Sequence, residues 1–182
     1  MFAVQVAVMK GRGGVFTSLF HYARMWEQVG VKSVCVYRGP VGDQLRAGGV
    51  DVIEAPATLT SPLFALTPDF GRLRAQIRER GGEPDCAMVH SDLALANMRR
   101  MFPRAVMMTR CHSDKTKRKR DADIVVTLNP EQHARVTREL AGARARTFML
   151  GHPFVMAPPP EPVAGEGPMR LNYVARFVAE KD

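Results

Sequence analysis

Short Val-rich apolar runs alternate with amphipathic stretches along this chain, and that alternation limits its fold more than any other feature. Residues 2–9 read as a buried strand. Residues 15–29 carry Phe16, Leu19, Phe20, Ala23, Trp26 and Val29 at three- and four-residue spacing, the stripe of a helix packed on one side, with Gly30 as its stop. Residues 32–37 read as a second strand, 41–47 as a short helix and 50–53 as a third strand. Residues 55–66 have no period and contain Pro56 and Pro62, so they read as a loop. A helix follows over 68–80, with Thr67 as its cap, Pro68 in its first turn, and Phe70, Leu73 and Ile77 on its apolar side. Strands are expected at 86–89, 105–109, 123–128 and 147–150, separated by helices at 93–101 and 130–140. Asn129 and Pro130 open the last helix as cap and first residue. Apolar strands separated by helices build a parallel sheet covered on both faces, so the fold class is α/β.

Such sheets bind ligands beyond the carboxyl ends of their strands, near the point where strand order reverses. Candidate functional residues therefore lie at 10–14, 37–39, 90–92, 110–114 and 128–129. Gly11, Gly13 and Gly14 follow a strand and precede a helix, where glycine lets backbone N–H groups approach an anion. A nicotinamide fingerprint is not met, because Phe16 stands where its third glycine belongs and the second strand ends in Tyr37-Arg38. A nucleotide P-loop fails too, for want of Gly-Lys-Ser/Thr. His90 and Asp92 follow one strand and His112 and Asp114 follow the next, which marks one polar site. Adjacent Cys111 and His112 do not suit a nucleophile–base pair, which needs the two side chains to face each other. His90, Cys111, His112 and His152 lack the spacing of a zinc site.

The chain has 182 residues and a formal net charge of +8, and much of the excess sits in Lys115, Lys117, Arg118, Lys119 and Arg120. Read alone, that run is a solvated surface segment. It also suits anionic lipid, a phosphorylated substrate or nucleic acid, although no recognition helix, zinc finger or aromatic stacking motif supports the last. The three cysteines, Cys35, Cys86 and Cys111, are odd in number and widely spaced, which fits free thiols in a reducing, cytoplasmic setting. No apolar run approaches the roughly 20 residues of a membrane span, and residues 2–9 lack the basic leader of a secretory signal. The expected organisation is one domain over 1–156, a Pro-rich linker over 157–168, and the first strand of a second, truncated domain over 169–182. Arg176 and Lys181, five residues apart after that strand, would suit a diphosphate.

Taken in order, six segments resemble the glycosyltransferases of the GT-B fold, family 4 in particular, which pair two Rossmann-like domains. They are Gly13-Gly14-Val15; Pro84 through Ser91, with a Ser where a second His is common; and Met107 through His112. The others are Asp121 through Asn129, Phe148 through Pro153, and Tyr173 through Asp182, the last with Ala175 and Asp182 replacing glycines. The resemblance implies that the N-terminal domain binds a glycan or lipid-linked acceptor, the C-terminal domain a nucleotide-sugar donor. It implies that Arg176 and Lys181 neutralise the departing diphosphate. By the same resemblance His112 faces the sugar near the reacting centre, and the Gly13-Gly14 loop meets the donor phosphate or the acceptor. His90, Asp92 and Asn129 complete the expected substrate-binding set. The family reaction retains anomeric configuration, and neither metal nor cofactor is expected. A place in cell-envelope glycan synthesis, at the inner face of the membrane, follows from the basic charge. The glycine replacements at 175 and 182 leave one alternative, a non-catalytic binding module derived from such an enzyme.

Overall fold

The computed structural model describes residues 1–9, 14–112 and 115–151. The expected linker at 157–168 and strand at 169–182 lie outside these residues, as do Gly13, Arg176 and Lys181. The strands are β1 (Phe2–Val8), β2 (Lys32–Arg38), β3 (Val52–Glu54), β4 (Cys86–Val89), β5 (Val106–Arg110), β6 (Ile124–Thr127) and β7 (Arg146–Met149). The helices are α1 (Gly14–Gln28), α2 (Gly42–Ala47), α3 (Pro68–Gly81), α4 (Asp92–Met101) and α5 (Pro130–Glu139). All strand pairs are parallel, in the order β3-β2-β1-β4-β5-β6-β7. The order reverses between β1 and β4, so this is a doubly wound sheet with its switch point beside β1.

β1 sits at the centre and is apolar on both sides because helices cover both. Val4 and Val6 join the core under α3 and α4, with Leu73, Ile77, Leu95 and Met98. Ala3 and Ala7 face the other way, toward Tyr22 and Trp26 and toward Leu19 of α1. The alternation along one strand thus feeds two cores. Cys35 in β2 and Cys86 in β4 are free thiols, as is Cys111 just beyond β5, and burial pushes the Cys35 thiol up to about 12.

Several elements depart from expectation. The loop at 55–66 contains two 3₁₀ turns, Ala57–Thr60 and Phe64–Leu66, because Leu59 and Phe64 each plug the core with no exposed surface. Asn97 of α4 holds this segment by donating to the Leu59 and Ser61 carbonyls, 2.8 Å each. Val29 does not join the α1 stripe. The helix ends at Gln28, Gly30 reverses the chain at φ 72°, Val31 takes the buried place, and Val29 is left 67% exposed. Thr67 precedes α3 without capping it, since its hydroxyl donates to the Phe64 carbonyl instead. Asn129 does cap α5, its Oδ1 accepting from Gln132 N at 2.8 Å. The basic run is not wholly solvated either. It forms a 3₁₀ turn, Lys117–Asp121, whose Lys119 is 1% exposed and paired with Asp92. A lone ammonium could not be buried there, but a carboxylate waiting at the start of α4 makes it tolerable.

Two glycines of α3 test this packing. A Cβ on Gly81 would stand 2.5 Å from the Phe2 ring, whereas one on Gly71 would meet nothing within 4 Å. Gly81→Ala is therefore expected to destabilise the fold by about 1–3 kcal/mol. Gly71→Ala is expected to stabilise it by up to about 1 kcal/mol through helix propensity. Urea unfolding of both variants measures the two signs.

Candidate functional site

The carboxyl ends of β1 and β4 meet at the switch point and are fastened to each other. Ser91 Oγ accepts from Val8 N at 2.8 Å and donates to the Val8 carbonyl at 3.1 Å. This fixes the backbone on which His90 and Asp92 stand. His90 is 7% exposed, and its Nδ1 lies 3.0 Å from Nε2 of His112, the residue two beyond β5. The two rings lie 5.3 Å apart at 35°. The histidines expected at two strand ends are therefore in contact. Their hydrogen bond needs one donor and one acceptor, so at most one nitrogen of the facing pair carries its proton at a time.

Near them is Arg110, which the sequence placed in the 110–114 candidate stretch without giving it a role. Arg110 is 1% exposed, with its guanidinium carbon 5.4 Å from the centre of the Tyr22 ring. Its Nη1 reaches Ser18 Oγ at 3.4 Å, while Nε and Nη2 have no hydrogen-bond partner among the described residues. An arginine in the apolar run Val106–Arg110, on the same side of the strand as Met108, was a visible signal. Such a charge is buried whenever a helix covers that face. Burial first, then His112 and the Arg110 cation, hold His90 well below its ordinary 6.5, so this imidazole is neutral in the native protein.

Asp92 is also at this edge, but both its carboxylate oxygens are engaged within the protein. Oδ1 accepts from Thr109 Oγ1 at 2.9 Å, and Oδ2 pairs with Lys119 Nζ. Asp92 thus fastens the basic turn to α4 and β5. Val8, His90, Ser91, Asp92 and Leu93 line a cavity of about 710 Å³ together with Lys115, Thr116, Lys117 and Arg118. That volume suits a sugar-sized ligand. Gly14 opens α1 with open space around its Cβ position, so packing within the protein does not require glycine there. Asn129 is not part of this cleft. It lines a separate depression of about 460 Å³ with Gln132 and Arg135, beside the start of α5. Among the described residues no group of three or more metal-ligating side chains is present.

Comparison with solved structures gives this geometry a context. HepE of Anabaena, in complex with UDP-glucose, matches with a TM-score of 0.60 and 15% identity, over 85% of this chain and 44% of HepE. MurG of Acinetobacter baumannii matches with a TM-score of 0.51 and 12% identity, over 72% of this chain and 42% of MurG. The chain has the fold of the N-terminal half of a GT-B glycosyltransferase. It spans less than half the length of either protein. No family model matches it, and no curated protein does.

The neutral state of His90 has a consequence for stability. His90 titrates near 6.5 when unfolded and well below that when folded, so the unfolded chain binds the extra proton. Stability is expected to be full above about pH 7 and to fall as the pH drops toward about 5. His90→Gln should flatten that slope, and Arg110→Met should shift it to lower it in magnitude by letting the folded imidazole charge more readily. Denaturant unfolding across this pH range reads both.

Proposed function

We propose that this chain is the acceptor-binding half of a nucleotide-sugar-dependent, retaining glycosyltransferase. The observation that carries the reading is the His90–His112 contact at the switch point of this sheet, beside a cleft of about 710 Å³. The HepE structures hold UDP or UDP-glucose, which supports a nucleotide-sugar donor for the whole enzyme. In this reading residues 1–156 bind the acceptor, and 169–182 begin the donor-binding domain after the 157–168 linker.

The division of labour follows from charge. The acceptor hydroxyl attacks the anomeric carbon while the nucleotide diphosphate departs, so negative charge grows on the phosphates and positive charge on the sugar. Arg176 and Lys181 neutralise the diphosphate. His112, its ring set by His90, hydrogen-bonds the sugar beside the reacting carbon. Burial first, then His112 and Arg110, keep His90 neutral, so the pair acts by hydrogen bonding and not as a dication. Gly14 leaves the approach to the α1 N-terminus open for a phosphate, and Gly13 precedes it in the sequence. The basic run at 115–120 supports a cell-envelope acceptor and a peripheral place at an anionic membrane face, where each nearby Lys or Arg contributes about 1 kcal/mol. Among the described residues no helix is long and apolar enough to cross a membrane.

An NMR titration of this chain separates the two halves of the reaction. Oligosaccharide acceptors should shift the amide signals of Val8, His90 and His112, and UDP-glucose should leave them in place. Strong shifts with UDP-glucose at these residues, and none with any glycan, would overturn the assignment of this half to the acceptor. Absence of co-sedimentation with phosphatidylglycerol vesicles at low salt would remove the membrane placement alone.

A further inference from the structure

We infer that the cleft beside His90 is built for a phosphorylated sugar, with Lys115, Lys117 and Arg118 as its phosphate-binding subsite. The inference rests on the acceptor reading and names the chemistry of that ligand. Its basis is a contrast between how these three cations are carried and how the segment bearing them is held.

The segment is fastened at several points. Lys119 is buried and pairs with Asp92, which is itself held by Thr109 of β5. Thr116 Oγ1 donates to Glu139 of α5 at 2.7 Å, and Arg120 Nη2 donates to the Glu139 carbonyl at 3.1 Å. Lys117 and Arg118 lie between these anchors and Lys115 just before them, and no carboxylate among the described residues pairs with any of the three. Elsewhere Arg24, Arg46, Arg72 and Arg99 each rest on a carboxylate. Asp92, the acid that lines the same cleft, is spent on Lys119. Lys115, Lys117 and Arg118 thus line the cavity without a carboxylate partner among the described residues.

The cavity fixes the class of anion. Lys115, Lys117 and Arg118 line this cavity together with His90 and Ser91. A second cavity of about 420 Å³ shares Asp92, Leu93, Lys117 and Arg118, and extends toward Asn97 and Arg100. A ligand spanning this space carries its anionic end on the cations and its hydroxyl-bearing end on the histidine side. Charge-assisted bonds from Lys and Arg suit a phosphate, and the polar wall suits a sugar. Asp92 is a positioning residue here, since it holds the turn through Lys119.

The test uses glucose 1-phosphate and glucose as probes, with affinities measured by calorimetry on the intact chain. Glucose 1-phosphate is expected to bind at least about tenfold more tightly than glucose, and to weaken as salt rises. Lys115→Gln/Lys117→Gln/Arg118→Gln, which changes exposed positions only, should reduce it to the level of glucose. Arg104→Gln, just before the amino end of β5, should leave it unchanged. Asp92→Asn should weaken glucose 1-phosphate several-fold by releasing Lys119 and the turn, and a thermal melt reads its folding separately. Equal affinity for the two probes, or equal loss from Arg104→Gln, would overturn the subsite. Glucose binding that survives such a result would leave the acceptor reading standing. Glucose 1-phosphate should also displace the chain from phosphatidylglycerol vesicles; vesicle binding that persists at saturating glucose 1-phosphate would assign the cations to lipid and not to the sugar ligand.

Discussion

Two hydrogen bonds between Ser91 and Val8 hold together the place on which the rest of this molecule's chemistry depends. A parallel doubly wound sheet sends its connections away in opposite senses on either side of the switch point. The chain leaving β1 climbs into α1 on one face, and the chain leaving β4 climbs into α4 on the other. A cleft opens between them without any special sequence to make it. What the sequence must supply is a fixed rim, and the Ser91 hydroxyl supplies it by bonding both backbone groups of Val8. His90 then stands at a defined height beside His112, and Asp92 at the start of α4 can reach both Thr109 and Lys119.

The two buried cations near this rim are treated in opposite ways. Lys119 loses its water but gains Asp92, so its charge is cancelled and spent on holding a turn in place. Arg110 loses its water and gains only Tyr22 and a long contact to Ser18. Removing an ion from water is costly, and without a carboxylate the cost is not recovered. His90 stays neutral chiefly because it is buried, and His112 and the Arg110 charge add to this. Positive charge is thereby concentrated on the exposed turn, and the histidine pair is left as a hydrogen-bonding surface. Separating those two roles across one cleft fits a ligand with an anionic end and a hydroxyl-bearing end.

Much of this was legible in the chain. The strand and helix succession follows from Val-rich runs and helical spacing, because burial of β1 on both faces leaves no room for polar side chains there apart from Gln5. His90 and His112 could be placed at one edge, since both follow strands. Their direct contact could not, because it depends on β4 and β5 being neighbours in register. Lys119 was hidden inside a charge run: nothing local distinguishes it from Lys117, and only the carboxylate of Asp92, 27 residues earlier, makes it a buried residue. Asp92 was legible at this edge, but its partners Thr109 and Lys119, distant in sequence, were not. Asn129 was legible as a cap from its place before Pro130, but its distance from the histidine cleft was not. The Leu59 and Phe64 plugs lacked any period, because 3₁₀ turns are too short to show one.

The most direct test of the account is a crystal structure of the chain soaked with glucose 1-phosphate. The account predicts density in the cleft between Val8 and the Lys117–Asp121 turn, with the phosphate on Lys117 and Arg118 and the sugar on the side of His90. Ligand in the depression around Asn129 or at the amino ends of the strands, with the histidine cleft empty at saturating concentration, would contradict it.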